Sequence, residues 1–150
     1  MITKRTKYAL KALEELAQNY TSARPILISD LAKNGRIPKK FLELILLDLK
    51  NKRILDSKKG KGGGYLLAKR PDQIKLGEVL RILEGPLAPL PCLSVTAYRK
   101  CDECTNEATC NIRLIMKDIH DFQVRLLDNT TLQDMIEKNK HLEEIGVYQI

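Results

Sequence analysis

Ser29-Asp-Leu-Ala-Lys-Asn-Gly35-Arg-Ile-Pro38-Lys-Lys-Phe-Leu-Glu43-Leu-Ile45-Leu-Leu-Asp-Leu-Lys-Asn51 decides the fold. Ser29 reads as a helix N-cap, with Asp30 in the first turn where the helix dipole favours a carboxylate. The helix it opens is short, running from Asp30 to about Asn34, and Gly35 is a natural stop. Pro38 restarts a helix at its first position, where a missing N–H costs nothing. That second helix runs to about Asn51 and buries Leu42, Ile45, Leu46 and Leu49 at helical spacing. A short helix, a tight turn at Gly35 and a longer helix form the helix-turn-helix pattern.

Downstream, two strand-like stretches, Ile54 to Ser57 and Tyr65 to Ala68, flank Lys58-Lys-Gly-Lys-Gly-Gly-Gly64. The reading is a β-hairpin with a cationic, glycine-rich tip. After a helix-turn-helix, such a hairpin is a wing. Upstream, Ala9, Ala12, Leu13, Leu16 and Ala17 form one buried stripe of a helix from about Lys4 to Asn19. Thr21 to Pro25 is a loop, and Ile26-Leu27-Ile28 suits a brief extended segment. Pro71 closes the hairpin, and a helix from about Leu76 to Glu84 stops at Gly85-Pro86. Pro86, Pro89 and Pro91 then lead into a loop holding every cysteine of the chain: Cys92, Cys101, Cys104 and Cys110. The longest helix follows, to about Leu127. Its apolar residues Ile112, Ile115, Ile119, Phe122 and Leu126 step by 3, 4, 3 and 4, the seam along which one helix packs lengthwise on another. Thr130 or Thr131 caps a last short helix from Leu132 to about Lys138, followed by a loosely held tail.

The expected fold is therefore mainly α: a winged helix-turn-helix domain with a two-stranded β wing, plus a long C-terminal dimerisation helix. The expected divisions are 1–85 for the DNA-binding domain, 86–110 for the cysteine loop, 111–138 for the dimerisation and capping helices, and 139–150 for the tail.

The 150 residues carry a net charge of +7, unevenly placed. Residues 1–75 hold 18 Lys and Arg against 7 Asp and Glu, whereas residues 76–150 hold 8 against 12. A positive field concentrated in one half suits a polyanion, either nucleic acid or an acidic membrane surface. Nucleic acid is favoured, because the cations sit on separate elements in the order a winged helix needs. Pro38, Lys39, Lys40 and Glu43 open the second helix of the motif, placed to enter a major groove. Lysines there meet phosphate or guanine, and Glu43 can accept from cytosine N4. Lys58, Lys59, Lys61 and Gly62 form the wing tip, and Lys4, Arg5 and Lys7 stand at the start of the first helix. No apolar run approaches the roughly 18 residues that cross a bilayer, and no apolar block follows the basic N-terminus. The expectation is a cytoplasmic protein without a membrane role.

Clustered cysteines in such a chain argue for metal or redox chemistry over structural disulfides. The spacing Cys92-x8-Cys101-x2-Cys104-x5-Cys110 offers four thiolates, a donor set for a soft metal centre. Iron–sulfur, zinc and a metal-free thiol switch all satisfy it, although the paired C-x2-C motifs of zinc ribbons are absent. His120 and His141 lie outside the cluster and read as surface residues. A thioredoxin-type enzyme fails on context, since no βαβ pattern precedes Cys101-Asp-Glu-Cys104 and the acidic pair would raise the thiol pKa. The Gly62–Gly64 run lies between strands rather than before a helix, so it is a poor nucleotide loop. No enzyme is expected.

Tyr8-Ala-Leu-Lys-Ala-Leu13, the segment from Ile28 to Asp48, the wing Gly60 to Ala68 and Leu76-Gly-Glu-Val-Leu-Arg-Ile-Leu-Glu-Gly85 together resemble the IscR/NsrR-type winged-helix regulators of the Rrf family. The resemblance covers roughly residues 1–136. It implies a homodimer held by the long helix on a palindromic operator in double-stranded DNA. It also implies a 2Fe–2S or 4Fe–4S cluster on the cysteine loop that tunes operator binding to redox state, nitric oxide or iron–sulfur status. Family members often add a non-cysteine ligand to three cysteines. The histidine that one version carries three residues after the last cysteine is Arg113 here, and the carboxylate of another is Lys7. Four cysteines stand in their stead, and the cluster type stays open.

Overall fold

The computed structural model describes residues 2–144 and is built of six helices and one hairpin. Helix α1 (Lys4–Gln18) buries Ala9, Ala12, Leu13, Leu16 and Ala17. Thr3 caps it, its hydroxyl accepting from the Thr6 N–H at 3.3 Å. The Thr3 N–H and hydroxyl both donate to Glu84 Oε1, at 2.7 and 2.8 Å, which ties the start of α1 to the end of α4 (Leu76–Glu84). Hydrogen bonds from Thr6 and Thr3 hold the Glu84 carboxyl below the usual carboxylate range.

Helix α2 (Ile28–Gly35) and helix α3 (Lys39–Asn51) form the helix-turn-helix. Three details depart from the sequence reading. The N-cap of α2 is Leu27, with no side-chain cap, and Ser29 already lies inside the helix. Gly35 closes α2 in helical geometry, and Arg36 takes the left-handed turn at φ 52°. Gly35 is small for another reason: a Cβ there would meet Ile37 Cδ1 at 2.8 Å. Its absence lets Ile37 fold into the core, with the Ile37 N–H donating to Ala32 O at 2.8 Å. Pro38 is the N-cap of α3, not its first residue, because its ψ of 122° is extended.

The wing pairs β1 (Leu55–Lys58) with β2 (Gly64–Leu67), antiparallel, with Leu55 opposite Leu67 and Lys58 opposite Gly64. The expected extended segment near Ile26 is a single bridge: Ile26 and Tyr65 exchange two backbone hydrogen bonds of 2.8 Å. Gly64 makes this approach possible. Its φ is 141°, and a Cβ would stand 2.4 Å from Ile26 O.

Helix α5 (Asn111–Asn129) is the longest and buries no residue. Helix α6 (Leu132–Glu144) runs beyond the expected end at Lys138 and starts with a reciprocal cap. There the Thr131 N–H donates to Asp134 Oδ2 at 2.7 Å, and the Asp134 N–H donates to Thr131 Oγ1 at 3.1 Å. The distal part of the expected tail, residues 145–150, lies outside the described residues.

One core joins Leu13 of α1, Leu31 of α2, Leu42, Ile45, Leu46 and Leu49 of α3, Ile54, Leu55 and Leu67 of the wing, and Val79 of α4. Leu132 and Ile136 of α6 complete it. The path back from α5 is fixed by backbone bonds, Leu76 N–H to Thr130 O at 2.8 Å and Leu132 N–H to Ile74 O at 2.9 Å. The core of the winged domain is thus closed by residues far beyond position 85.

Candidate nucleic-acid interface and cysteine loop

The buried stripe of α3 fixes what its other face can do. With Leu42, Ile45, Leu46 and Leu49 turned inward, Lys39, Lys40 and Glu43 are exposed. Pro38, which caps the helix, is exposed with them. The wing tip adds exposed Lys58, Lys59, Lys61 and Gly62, the chain turning there through left-handed Gly60 and Gly62 at φ 88° and 77°. Lys50 Nζ donates to Ser57 Oγ at 2.6 Å, which braces the base of the hairpin against α3. Lys4 and Lys7 are exposed on the first two turns of α1.

Arg5 is placed differently from its two neighbours. Its guanidinium pairs with Asp48 of α3 and donates from Nη1 to Leu83 O of α4 at 2.9 Å. At this half-exposed position its charge ties three helices together. The local signal of a basic triplet could not reveal this, since Asp48 is 43 residues away in sequence.

The cysteines sit on the loop between α4 and α5. Cys92 is buried in a short 3-10 turn (Pro91–Leu93), Cys101 is exposed, Cys104 is half-buried, and Cys110 is the N-cap of α5. All four are free thiols. Partial desolvation and then the neighbouring Cys92, with Cys104 and Glu103 adding to it, push the Cys101 thiol up. The Cys104 N–H donates to Cys101 O at 3.2 Å. Cys92, Cys101 and Cys104 therefore lie in one neighbourhood. Among the described residues no three His, Cys, Asp or Glu side chains converge tightly enough to hold one metal ion. By chemistry alone four thiols are a donor set for a soft metal centre, and the stretch from Val95 to Glu103 that carries Cys101 is exposed.

Arg113, one turn into α5, faces this loop region through Glu107, 3.9 Å away. Its Nε is buried and has no hydrogen-bond acceptor among the described residues. Glu107 also accepts from the Tyr98 hydroxyl at 2.5 Å, and that bond raises the phenol pKa. His120 lies on α5, 3.6 Å from the carboxylate of Asp121 and outside the cysteine loop.

The seam residues of α5 are all outward. Ile112, Ile115, Ile119, Phe122 and Leu126 are 52–64% exposed in the single chain. The opposite side of α5 rests on α4, where Arg81 grips Asp128 with two bonds of 2.6 and 3.0 Å. No helix among the described residues is long and apolar enough to cross a membrane.

Residues 2–138 match the Rrf2 family, described as iron-dependent transcriptional regulators. The chain belongs to the Rrf2 family. An Rrf2-like HTH-type transcriptional regulator of Rhodobacter capsulatus is 44% identical over 91% of this chain and 92% of its own length. The HTH-type transcriptional regulator CymR of Bacillus subtilis is 28% identical over 99% of both chains. IscR of Escherichia coli is 26% identical over 97% of this chain and 85% of its own. Among solved structures, CymR, described as the global cysteine regulator of B. subtilis, matches with a TM-score of 0.77 at 28% identity, over 92% of this chain and 97% of that one. IscR of T. potens matches with a TM-score of 0.73 at 25% identity, over all of this chain and 93% of that one. This Rrf2 protein is accordingly a winged-helix transcriptional regulator, and its named relatives are regulators rather than enzymes.

Proposed function

We propose that this Rrf2 protein is a homodimer that binds a palindromic operator in double-stranded DNA, and that an iron–sulfur cluster on the cysteine loop tunes the binding. One observation carries the reading: the four thiols occupy the connection between the winged domain and α5, so whatever orders that loop acts on both. Cys92, Cys101, Cys104 and Cys110 would hold the cluster, which when bound supplies a centre that is altered by oxidation, nitric oxide or iron supply. The chain's own residues do the rest. Lys39, Lys40, Glu43 and the wing lysines meet the duplex, and the Ile112–Leu126 seam pairs two copies so that their α3 helices address successive turns of DNA. A cytoplasmic location follows from the partner.

The test is an ultraviolet–visible spectrum with iron, sulfide and zinc analysis on protein purified without oxygen. Visible charge-transfer bands with stoichiometric iron and sulfide, lost in Cys104→Ala, are the expected result. A second reading draws on the likeness to CymR and on the closeness of Cys92 to Cys101: a metal-free thiol switch. Colourless, metal-free protein whose operator affinity responds to thiol oxidation would favour it, and colourless protein with stoichiometric zinc would make the loop a structural site.

A further inference from the structure

The outward line of α3 is not made of polar residues alone. Opposite the buried stripe, Lys40, Leu44, Leu47 and Asn51 step by 4, 3 and 4, and all four are exposed. Leu44 is the more open of the two leucines, at 64% against 48% for Leu47. Phe41, also on α3, is accounted for otherwise: its ring packs edge-on against Tyr8 of α1, with centroids 5.8 Å apart. Leu44 stands outside the hydrophobic core.

Two occupants could cover an exposed leucine there, another protein or DNA, and the surroundings favour DNA. Leu44 follows Lys40 by one turn, has Glu43 beside it, and lies in the half of the chain that holds 18 cationic side chains against 7 anionic ones. Exposed charges one turn and one residue before Leu44, Lys40 and Glu43, make a poor protein interface, whose core is depleted of charge. The self-association seam lies on another helix, α5. In a major groove, by contrast, the C5-methyl of thymine is the apolar group that a side chain can meet.

We infer that Leu44 is a specificity-determining residue that reads a thymine by packing on its C5-methyl group. The inference rests on the reading of α3 as the groove-facing helix. Leu47 stands about 4.5 Å further along the axis, one to two base steps away, and shields the same edge from water. Glu43 beside it supplies the polar half of the code, accepting from a cytosine N4. The combined preference is a thymine adjoining a base pair that presents cytosine.

The test uses full-length protein purified without oxygen. Sites are first selected from random duplex DNA, and each thymine of the winning site is then replaced singly by deoxyuridine, which removes only the methyl. One position per half-site should weaken binding about fourfold, the worth of one buried methyl-sized group. Leu44→Ala should abolish that sensitivity with an unchanged Tm, because the side chain is exposed. Leu44→Gln should move the selected base toward adenine, the partner of a glutamine amide. Wild-type protein that selects a site yet tolerates deoxyuridine everywhere overturns the inference and leaves the regulator reading standing. So does Leu44→Ala retaining the sensitivity, or changing only the oligomeric state. Protein that selects no sequence at all overturns both.

Discussion

Arg5 and Lys59 are both cations of the basic half, and they should fail in opposite ways. Arg5 holds Asp48 and the Leu83 carbonyl, so Arg5→Ala is expected to cost about 1 kcal/mol of stability, the scale of a partly exposed ion pair and one hydrogen bond. The slope of operator affinity against salt should stay as it was. Lys59, exposed at the wing tip, should do the reverse: Lys59→Ala leaves the melting temperature alone and lowers the salt slope by about 0.9 for each phosphate that the wing no longer neutralises. Thermal melts and a salt titration of both variants separate the two roles, and an unchanged slope in Lys59→Ala would remove the wing from the interface. Gly64 is a third case. With φ at 141° and Ile26 O only 2.4 Å from a would-be Cβ, Gly64→Ala should cost about 1–3 kcal/mol and weaken DNA binding with it, since the wing detaches from its Ile26 bridge. The cationic order and the glycine wing were legible because both are local patterns. The clamp by Arg5 was not, because a partner 43 residues away leaves no mark on local spacing.

At the level of elements, the joint between α4 and α5 depends on one charged pair and one missing side chain. Arg81 holds the Asp128 carboxyl below the usual carboxylate range, chiefly through its hydrogen bonds. A carboxylate depressed in the folded state stabilises fully above its unfolded pKa, about 3.9, and loses that contribution as pH falls through the depressed value. Unfolding followed from pH 7 down to 3 should therefore show an acid-side loss that Asp128→Asn flattens, by up to about 1 kcal/mol for so exposed a pair. An identical acid arm in the variant would mean that the joint is held by packing alone. Gly77 guards the same place: a Cβ there would stand 2.0 Å from Asp128 Oδ1. On the outer face, a charge in the middle of the seam should split a dimer, so Ile119→Glu is expected to sediment as a folded monomer. Persistence of the dimer would relocate the interface. The 3-4-3-4 spacing picked out an apolar line that the structure leaves exposed along α5. The end of α2 was misplaced because Gly35 serves the packing of Ile37, whereas the helix-stop signal assumes a left-handed glycine.

For the whole molecule, the decisive feature is that the chain comes back. Leu132 is fully buried among residues of the first 85, and Leu132→Ala should cost about 2–5 kcal/mol, a large part of a domain's total of about 5–15 kcal/mol. Urea denaturation measures it, and a loss below about 1 kcal/mol would mean that α6 is dispensable to the winged domain. The capping signal at Thr131 announced this helix, but a short amphipathic stretch does not say which surface receives it. The return also sets the mechanics of α5. Its last turn is fastened to the winged domain by the Asp128 grip and by the backbone bonds on either side of Thr131, while its first residue issues from the cysteine loop. Nineteen residues of helix make an arm of about 28 Å, and a swing of about 10° at the fastened end carries the other end through about 5 Å. Cys110 stands at the far end of that arm, where a weak force exerts its greatest torque, so the ordering of a few loop residues can turn a much larger body.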